Sequence, residues 1–277
     1  MKKFLVLILI VPLFAACASS PSPPSLAMQI AEAGNIHKDL RDLPADEFGE
    51  HIVESRREDP GTSTVALTAG YSAKVFTPPP GVSAGGATAI SALALLAGTS
   101  SPASFLQILA WMPEELASNK ESAREQMAQL FEQAVREAVP PDFSIETEDS
   151  QEKALIGVIF NRRDLRIRGG ICEQHDCYIK ARLLTSGGKP KLESTPDFLG
   201  GGRTWVWRYT STGAIGDFVF SKAENQPYPF DMTTFYRNLS MNLPPWAFVY
   251  VPPQSNISII PVIYSQGEAH NFVTPEG

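Results

Sequence analysis

The chain has 277 residues, with 23 basic and 30 acidic side chains, a formal charge of −7 and a hydrophobic fraction of 43%. That apolar content excludes an intrinsically disordered chain, and the acidic excess argues against a nucleic-acid binder. The length suits one large domain or two small ones. The chain opens on Met1-Lys2-Lys3, followed by thirteen uncharged residues, Phe4 to Ala16, rich in Leu, Ile and Val. A basic start, a short apolar core and a small-residue exit form a secretory signal over residues 1–16. The run is shorter than the about 20 residues that a helix needs to cross hydrocarbon, and Pro12 interrupts it.

The exit reads Leu13-Phe14-Ala15-Ala16-Cys17 and resembles the lipobox of bacterial lipoproteins, with Phe14 standing where an aliphatic residue is usual. The resemblance covers this segment alone. It implies cleavage before Cys17, a diacylglycerol group on its sulfur and an acyl chain on the new amino group. Because Ala18 rather than Asp follows, it also implies the outer membrane in a Gram-negative cell, and otherwise the cell membrane. Ala16-Cys17-Ala18 is at the same time an A-x-A site, so ordinary cleavage after Ala18 stays open. Without Lys2 and Lys3 the basic residues number 21 against 30 acidic ones, a net charge of −9.

Residues 17–27 join the lipidated cysteine to a Ser/Pro-rich tether. The next two stretches differ in charge. Residues 18–150 hold 8 basic and 19 acidic residues, whereas 151–277 hold 13 and 11. Residues 28–150 read as mostly helical and 151–277 as mostly strand, as two domains or as one. The fold class expected is α+β, with the N-terminal helical part packed on a C-terminal, mainly antiparallel sheet.

Between Lys74 and Glu114 lie thirty-nine residues without a charge. Segment 75–113 reads as buried, with contact to a membrane assembly at 84–98 as the alternative. Within it, a helix is expected from Ser101, with Pro102 at its first position, stopping before Pro113. A second helix starts at a capping box, Ser118 to Glu121, carries Met127, Leu130, Phe131, Ala134, Val135 and Ala138 on one face and ends before Pro140-Pro141.

The second half reads as strands at Ala154–Phe160, Arg166–Cys172, Cys177–Leu184, Thr204–Thr210, Asp217–Ser221, Ala247–Val251 and Ile257–Tyr264, with a helix from Asp231 to Asn242. In an oxidising compartment Cys172 and Cys177 most simply form a disulfide. The alternative, a metal site that includes His175 and Asp176, lacks a second ligand pair. Alternation around that bridge conflicts unless a bulge falls near Gly169-Gly170. With the bulge, Ile167, Ile179, Ala181 and Leu183 face the core, and Arg166, Arg168, Lys180 and Arg182 face water.

Candidate chemistry is sparse. Gly81-Val82-Ser83-Ala84-Gly85 matches the G-x-S-x-G elbow, but Pro78-Pro79-Pro80 stands where that motif requires a buried strand, which leaves Ser83 a weak nucleophile candidate. His37, His51, His175 and His270 have no metal-ligand spacing, and no cofactor motif is present. Two aromatic stripes, Trp205/Trp207/Tyr209 and Trp246/Phe248/Tyr250, alternate along strands. They are expected to pack inward, with Val206 and Arg208 backing the first stripe toward water; the alternative is a ligand platform for a glycan. The recognition surface expected is Arg166, Arg168, His175, Lys180 and Arg182, around the hairpin tip Glu173 to Asp176. Together these features favour a lipid-anchored, non-enzymatic binding or assembly protein with an envelope protein or glycan as partner. An envelope hydrolase or a membrane-inserted structural protein are the alternatives.

Overall fold

The computed structural model describes residues 24–37, 105–153, 159–210, 213–222, 227–252 and 261–272. Among them are three α-helices: α1 (Leu26–Ala33), α2 (Lys120–Ala138) and α3 (Met232–Asn242). The strands are β1 (Gln107–Pro113), β2 (Ser144–Lys153), β3 (Ile159–Arg168), β4 (Cys177–Thr185), β5 (Lys191–Ser194) and β6 (Arg203–Trp207). They continue with β7 (Tyr209–Thr210), β8 (Gly213–Ala214), β9 (Phe218–Ser221), β10 (Ala247–Val251), β11 (Val262–Ser265) and β12 (Glu268–Asn271). The architecture is α+β. One antiparallel sheet runs β12-β11-β10-β1-β6-β5, a second runs β2-β3-β4-β9, and β7 pairs with β8.

The expected helix from Ser101 is a correction. Residues 101–104 lie outside the described residues, and Gln107–Pro113 is a strand, antiparallel to β10 on one side and β6 on the other. Its sequence, QILAWMP, has no polar stripe, so it cannot present one face to water as a surface helix does. An apolar run flanked by two partners is what a central strand buried on both faces requires. Ile108, Ala110 and Met112 face one core, and Leu109 and Trp111 another. Among the described residues, no helix is long and apolar enough to cross a membrane.

The helices follow their caps. In α2 the box is shifted by one residue from the expected Ser118 start. Asn119 Oδ1 accepts the amides of Glu121 and Ser122 at 3.0 and 2.9 Å, and Ser122 Oγ accepts the Asn119 amide at 3.1 Å. With Asn119 as the cap, the third helical residue is Ser122, which closes the box, while Glu121 pairs with Lys189 Nζ at 3.1 Å. Asp231 caps α3, accepting the Thr233 and Thr234 amides at 3.2 and 3.0 Å. Those bonds hold its carboxyl below the ordinary range, the hydrogen bond from the Thr234 hydroxyl contributing most.

The main core lies between the sheets. Trp207 of β6 and Val249 of β10 share it with Phe131 and Val135 of α2, Phe235 and Leu239 of α3, and Leu165, Ile167, Ile179 and Leu183 of the smaller sheet. Both aromatic stripes pack inward, but not into one core: Trp207, fully buried, and Trp205, 9% exposed, enter the main core with Trp246 half-buried against it, whereas Phe248 and Tyr250 are buried on the sheet's second face. The buried indoles also place their polar atoms, Trp205 Nε1 donating to the Ala117 carbonyl at 3.1 Å and Trp207 Nε1 to the Gly188 carbonyl at 3.3 Å. A buried indole needs such a partner. The expectation that Val206 faces water is corrected: it is buried with Trp111 and Phe248 on the sheet's second face.

The expected strand Arg166–Cys172 ends at Arg168. Gly169 and Gly170 take φ of 117° and 50° and lead into a 3₁₀ turn, Gly170–Glu173. A left-handed backbone at two successive positions suits glycine. Cys172 therefore sits in the turn, bonded to Cys177 with a Cα–Cα separation of 5.5 Å. The pairing then runs Ile167 to Cys177 and Leu165 to Ile179. The alternation falls as expected, with Ile167, Ile179 and Leu183 fully buried. The irregularity within the β3–β4 ladder lies between Arg162 and Asp164.

Backbone hydrogen bonds join the two sheets at residues 216–218. The Ile108 amide donates to the Gly216 carbonyl at 2.8 Å, the Phe218 amide to Leu106 at 3.0 Å and the Arg182 amide to Asp217 at 2.9 Å. Residues 216–218 thus bond to the larger sheet through β1 and to the smaller one through β4. A Cβ built on Gly216 would stand 1.9 Å from the Ile108 carbonyl oxygen, so only glycine permits this approach.

Candidate functional site

The outward face of the smaller sheet carries most of the residues singled out by sequence. β2, the edge strand, reads SIETEDSQEK and lines up with the basic β3, Glu146 opposite Arg166 and Ser144 opposite Arg168. Charged side chains on an edge strand discourage pairing with another chain. Here they also neutralise the neighbouring guanidiniums along the cross-strand diagonals. Arg168 Nε meets Glu146 Oε2 at 2.8 Å and Arg166 Nη1 meets Glu148 Oε1 at 3.0 Å. Arg166 Nη2 reaches Asp176 in the hairpin tip at 2.9 Å. Tyr178, opposite Arg166 on β4, donates to Glu148 Oε2 at 3.3 Å. Its ring stands between two cations, Arg166 at 5.7 Å and Lys180 at 5.4 Å from the centroid. Burial and the Glu148 charge push the Tyr178 phenol above its ordinary value.

Arg163 points to the other side, within 3.7 Å of Glu125 and 3.6 Å of Glu132 on α2 and 3.5 Å of Asp149. Desolvation pushes Glu132 up, but hydrogen bonds from Arg136 and Thr147 outweigh it and hold the carboxyl below its ordinary range. Arg136 also donates to the Ile145 carbonyl. This network ties α2 to β2 and β3 and serves structure.

At the opposite end of the face stand Arg182 and Asp217. Arg182 Nε lies 4.0 Å from Asp217 Oδ1, with 22% of the aspartate side chain exposed. Oδ1 itself is enclosed and accepts no hydrogen bond from another described residue. Burial pushes this carboxyl up to about 6, with Arg182 pulling the other way.

Of the expected recognition residues, Arg166 and Lys180 converge on Tyr178, Arg168 lies beside them, and Arg182 belongs to the joint with Asp217. His175 is exposed in the tip together with Glu173, Gln174 and Asp176, between the two buried cysteines. Cys17, His51 and Ser83 lie outside the described residues, as do residues 75–104. His270 is on β12, paired with Ile263 in the other sheet. Glu146, Glu148, Tyr178 and Asp217 are the members that sequence reasoning missed. The period-two spacing of Glu146 and Glu148 was the available signal for the first two.

Chemically, the face offers alternating guanidinium and carboxylate groups and a phenol. Exposed ion pairs of this kind contribute only about 0–1 kcal/mol each, so exchanging a partner within them costs little. Among the described residues, no group of three or more His, Cys, Asp or Glu is placed to hold a metal ion. No protein-family model matches the chain, and neither a curated protein nor a solved structure matches it.

Proposed function

We propose that the chain is a lipid-anchored bacterial envelope protein that works by binding, with the hairpin tip Glu173 to Asp176 and its charged flank as the contact surface. The observation that carries this reading is the preorganised tip. Four consecutive exposed residues are clipped at their base by Cys172–Cys177 and braced by the Arg166–Asp176 pair. A loop already held in one conformation loses little entropy on binding, and loops on a rigid sheet are where recognition residues concentrate. Arg166, Arg168 and Lys180 form its flank, Arg182 standing at the far end of the same face, and an envelope protein or glycan is the partner class.

Anchoring is supported by the tripartite signal and by Cys17. Eight residues, 18–25, separate that cysteine from Leu26, a reach of at most about 28 Å when fully extended. The N-terminal helix then packs on the larger sheet, Met28 and Ile30 joining Leu109, Phe248 and Tyr250. Asn35 Nδ2 donates to the Tyr209 carbonyl at 3.2 Å and secures the turn after α1. In this arrangement the larger sheet stands between α1 and the smaller sheet, so the charged face is not the one bearing the tether.

The test is site-specific photocrosslinking in intact cells from position 174, with Met241, 56% exposed on α3, as the control. Position 174 should give a discrete adduct that disappears when Cys172 and Cys177 are both changed to Ser. Equal labelling from both positions, or none from the tip, would sink the binding surface.

A further inference from the structure

We infer that the joint between the two sheets is an acid-stabilised latch centred on Asp217, which grips in acidic surroundings and loosens as the pH rises toward neutrality. The geometry places one carboxylate where two sheets share a segment. Asp217 pairs with Gln107 in an isolated antiparallel bridge, its carbonyl accepts the Arg182 amide, and its neighbours Gly216 and Phe218 bond to Ile108 and Leu106. Gly216 seals the contact, with no space for a side chain against Ile108. Closing the joint therefore encloses Oδ1 without giving it a hydrogen-bond donor from another described residue, the Asp217 amide being the one donor that helps to hold the charge.

Among the described residues the charged neighbours are few. From β4, Arg182 lies at 4.0 Å and Lys180 is opposite Val219. On β3, Arg162 and Asp164 pair with each other at 2.5 Å and are 10% and 14% exposed. Lys222 follows Asp217 on its own segment, beyond β9, and stacks on Tyr228 at 5.2 Å. From β1 the facing side chain is Gln107, fully buried and uncharged. A single cation at the limit of ion-pair distance does not compensate for desolvation of the carboxylate.

The sign follows from linkage. The carboxyl titrates at about 6 in the closed joint against 3.8 when solvated. A raised value means that stability is full below 3.8 and is lost as pH rises through 6. Opening the joint returns Asp217 to water, so the population of opened joints should rise about tenfold between pH 5 and pH 7.5. In an envelope compartment, whose pH follows the medium, this makes the coupling between the sheets responsive to surroundings. The joint also lies on the same sheet as the proposed contact face.

Hydrogen exchange on the full mature chain tests this, read at the Ile108 and Phe218 amides and corrected for intrinsic rates. Both bonds cross the joint, and the Tyr264 amide on β11 serves as the reference. Opening at Ile108 and Phe218 should be about tenfold more frequent at pH 7.5 than at pH 5, with Tyr264 unchanged. In Asp217→Asn, which keeps shape and removes the titration, both amides should be well protected and pH-independent. Equal protection at both pH values in the unmodified chain would overturn the latch, as would a pH response that survives in Asp217→Asn. If Asp217→Asn does not fold, Arg182→Met decides. Without the cation the carboxyl should titrate higher, moving the transition to higher pH, and an unmoved transition would overturn the proposal.

Discussion

Replacing Trp207 by alanine removes the largest fully buried side chain among the described residues. The indole occupies the inward face of β6, opposite Ala110 on β1, and its Nε1 satisfies the Gly188 carbonyl at 3.3 Å. Replacing a fully buried Trp by Ala costs about 3–5 kcal/mol, and the orphaned carbonyl adds about 1 kcal/mol or more. A loss of that size is a large share of a typical domain stability of about 5–15 kcal/mol. Urea unfolding followed by circular dichroism should show the midpoint falling steeply with a near-constant slope. Trp207→Phe should retain most of the stability, since it keeps a ring and loses chiefly the hydrogen bond. A Trp207→Ala variant that unfolds at the same urea concentration as the unmodified chain would refute the inward packing of this strand. The stripe would then be a ligand platform.

Cys17→Ser should abolish fatty-acid labelling and leave uncleaved precursor, whereas efficient soluble release of that variant would support cleavage after Ala18 instead. Non-reduced peptide mapping should link Cys172 to Cys177, and double replacement by Ser should cost about 2 kcal/mol, because the closed loop is short; two free thiols in envelope-derived protein would contradict the link. Gly216→Ala should destabilise the chain by about 2–3 kcal/mol or more, since its Cβ would meet the Ile108 carbonyl oxygen at 1.9 Å; a neutral effect in thermal unfolding would mean that the joint is looser than described. Asp231→Ala should cost about 1 kcal/mol through loss of the α3 cap, read as a lowered melting temperature.

Where local chemistry alone decides, the elements could be read from the chain. Ala247–Val251 is apolar on both faces and is a buried strand with the expected ends. Asp231 caps α3 at the expected place, and Pro140-Pro141 follows the end of α2. Gln107–Pro113 was misread because a run whose one polar residue, Gln107, stands at its start has no period to distinguish helix from strand. Only its two partners, both more than ninety residues later in the chain, make it a strand. β2 escaped notice because its side chains are charged and it belongs to an edge, where hydrophobic alternation is not required. The contact face suffered the same way. The basic strand could be read as a recognition surface, but its neutralisation by Glu146 and Glu148 appears only once the β2–β3 register is known. Asp217 had no local signal at all, since its enclosure comes from β1, on the far side of the joint.

Anchoring through Cys17 is tested most directly by the intact mass of the mature protein purified from the envelope without reduction. The expected mass is that of residues 17–277 plus a diacylglycerol group and an N-acyl chain, less two hydrogens for the Cys172–Cys177 bond. A chain beginning at Ser19 with no added lipid would contradict it and leave the protein a soluble exported one.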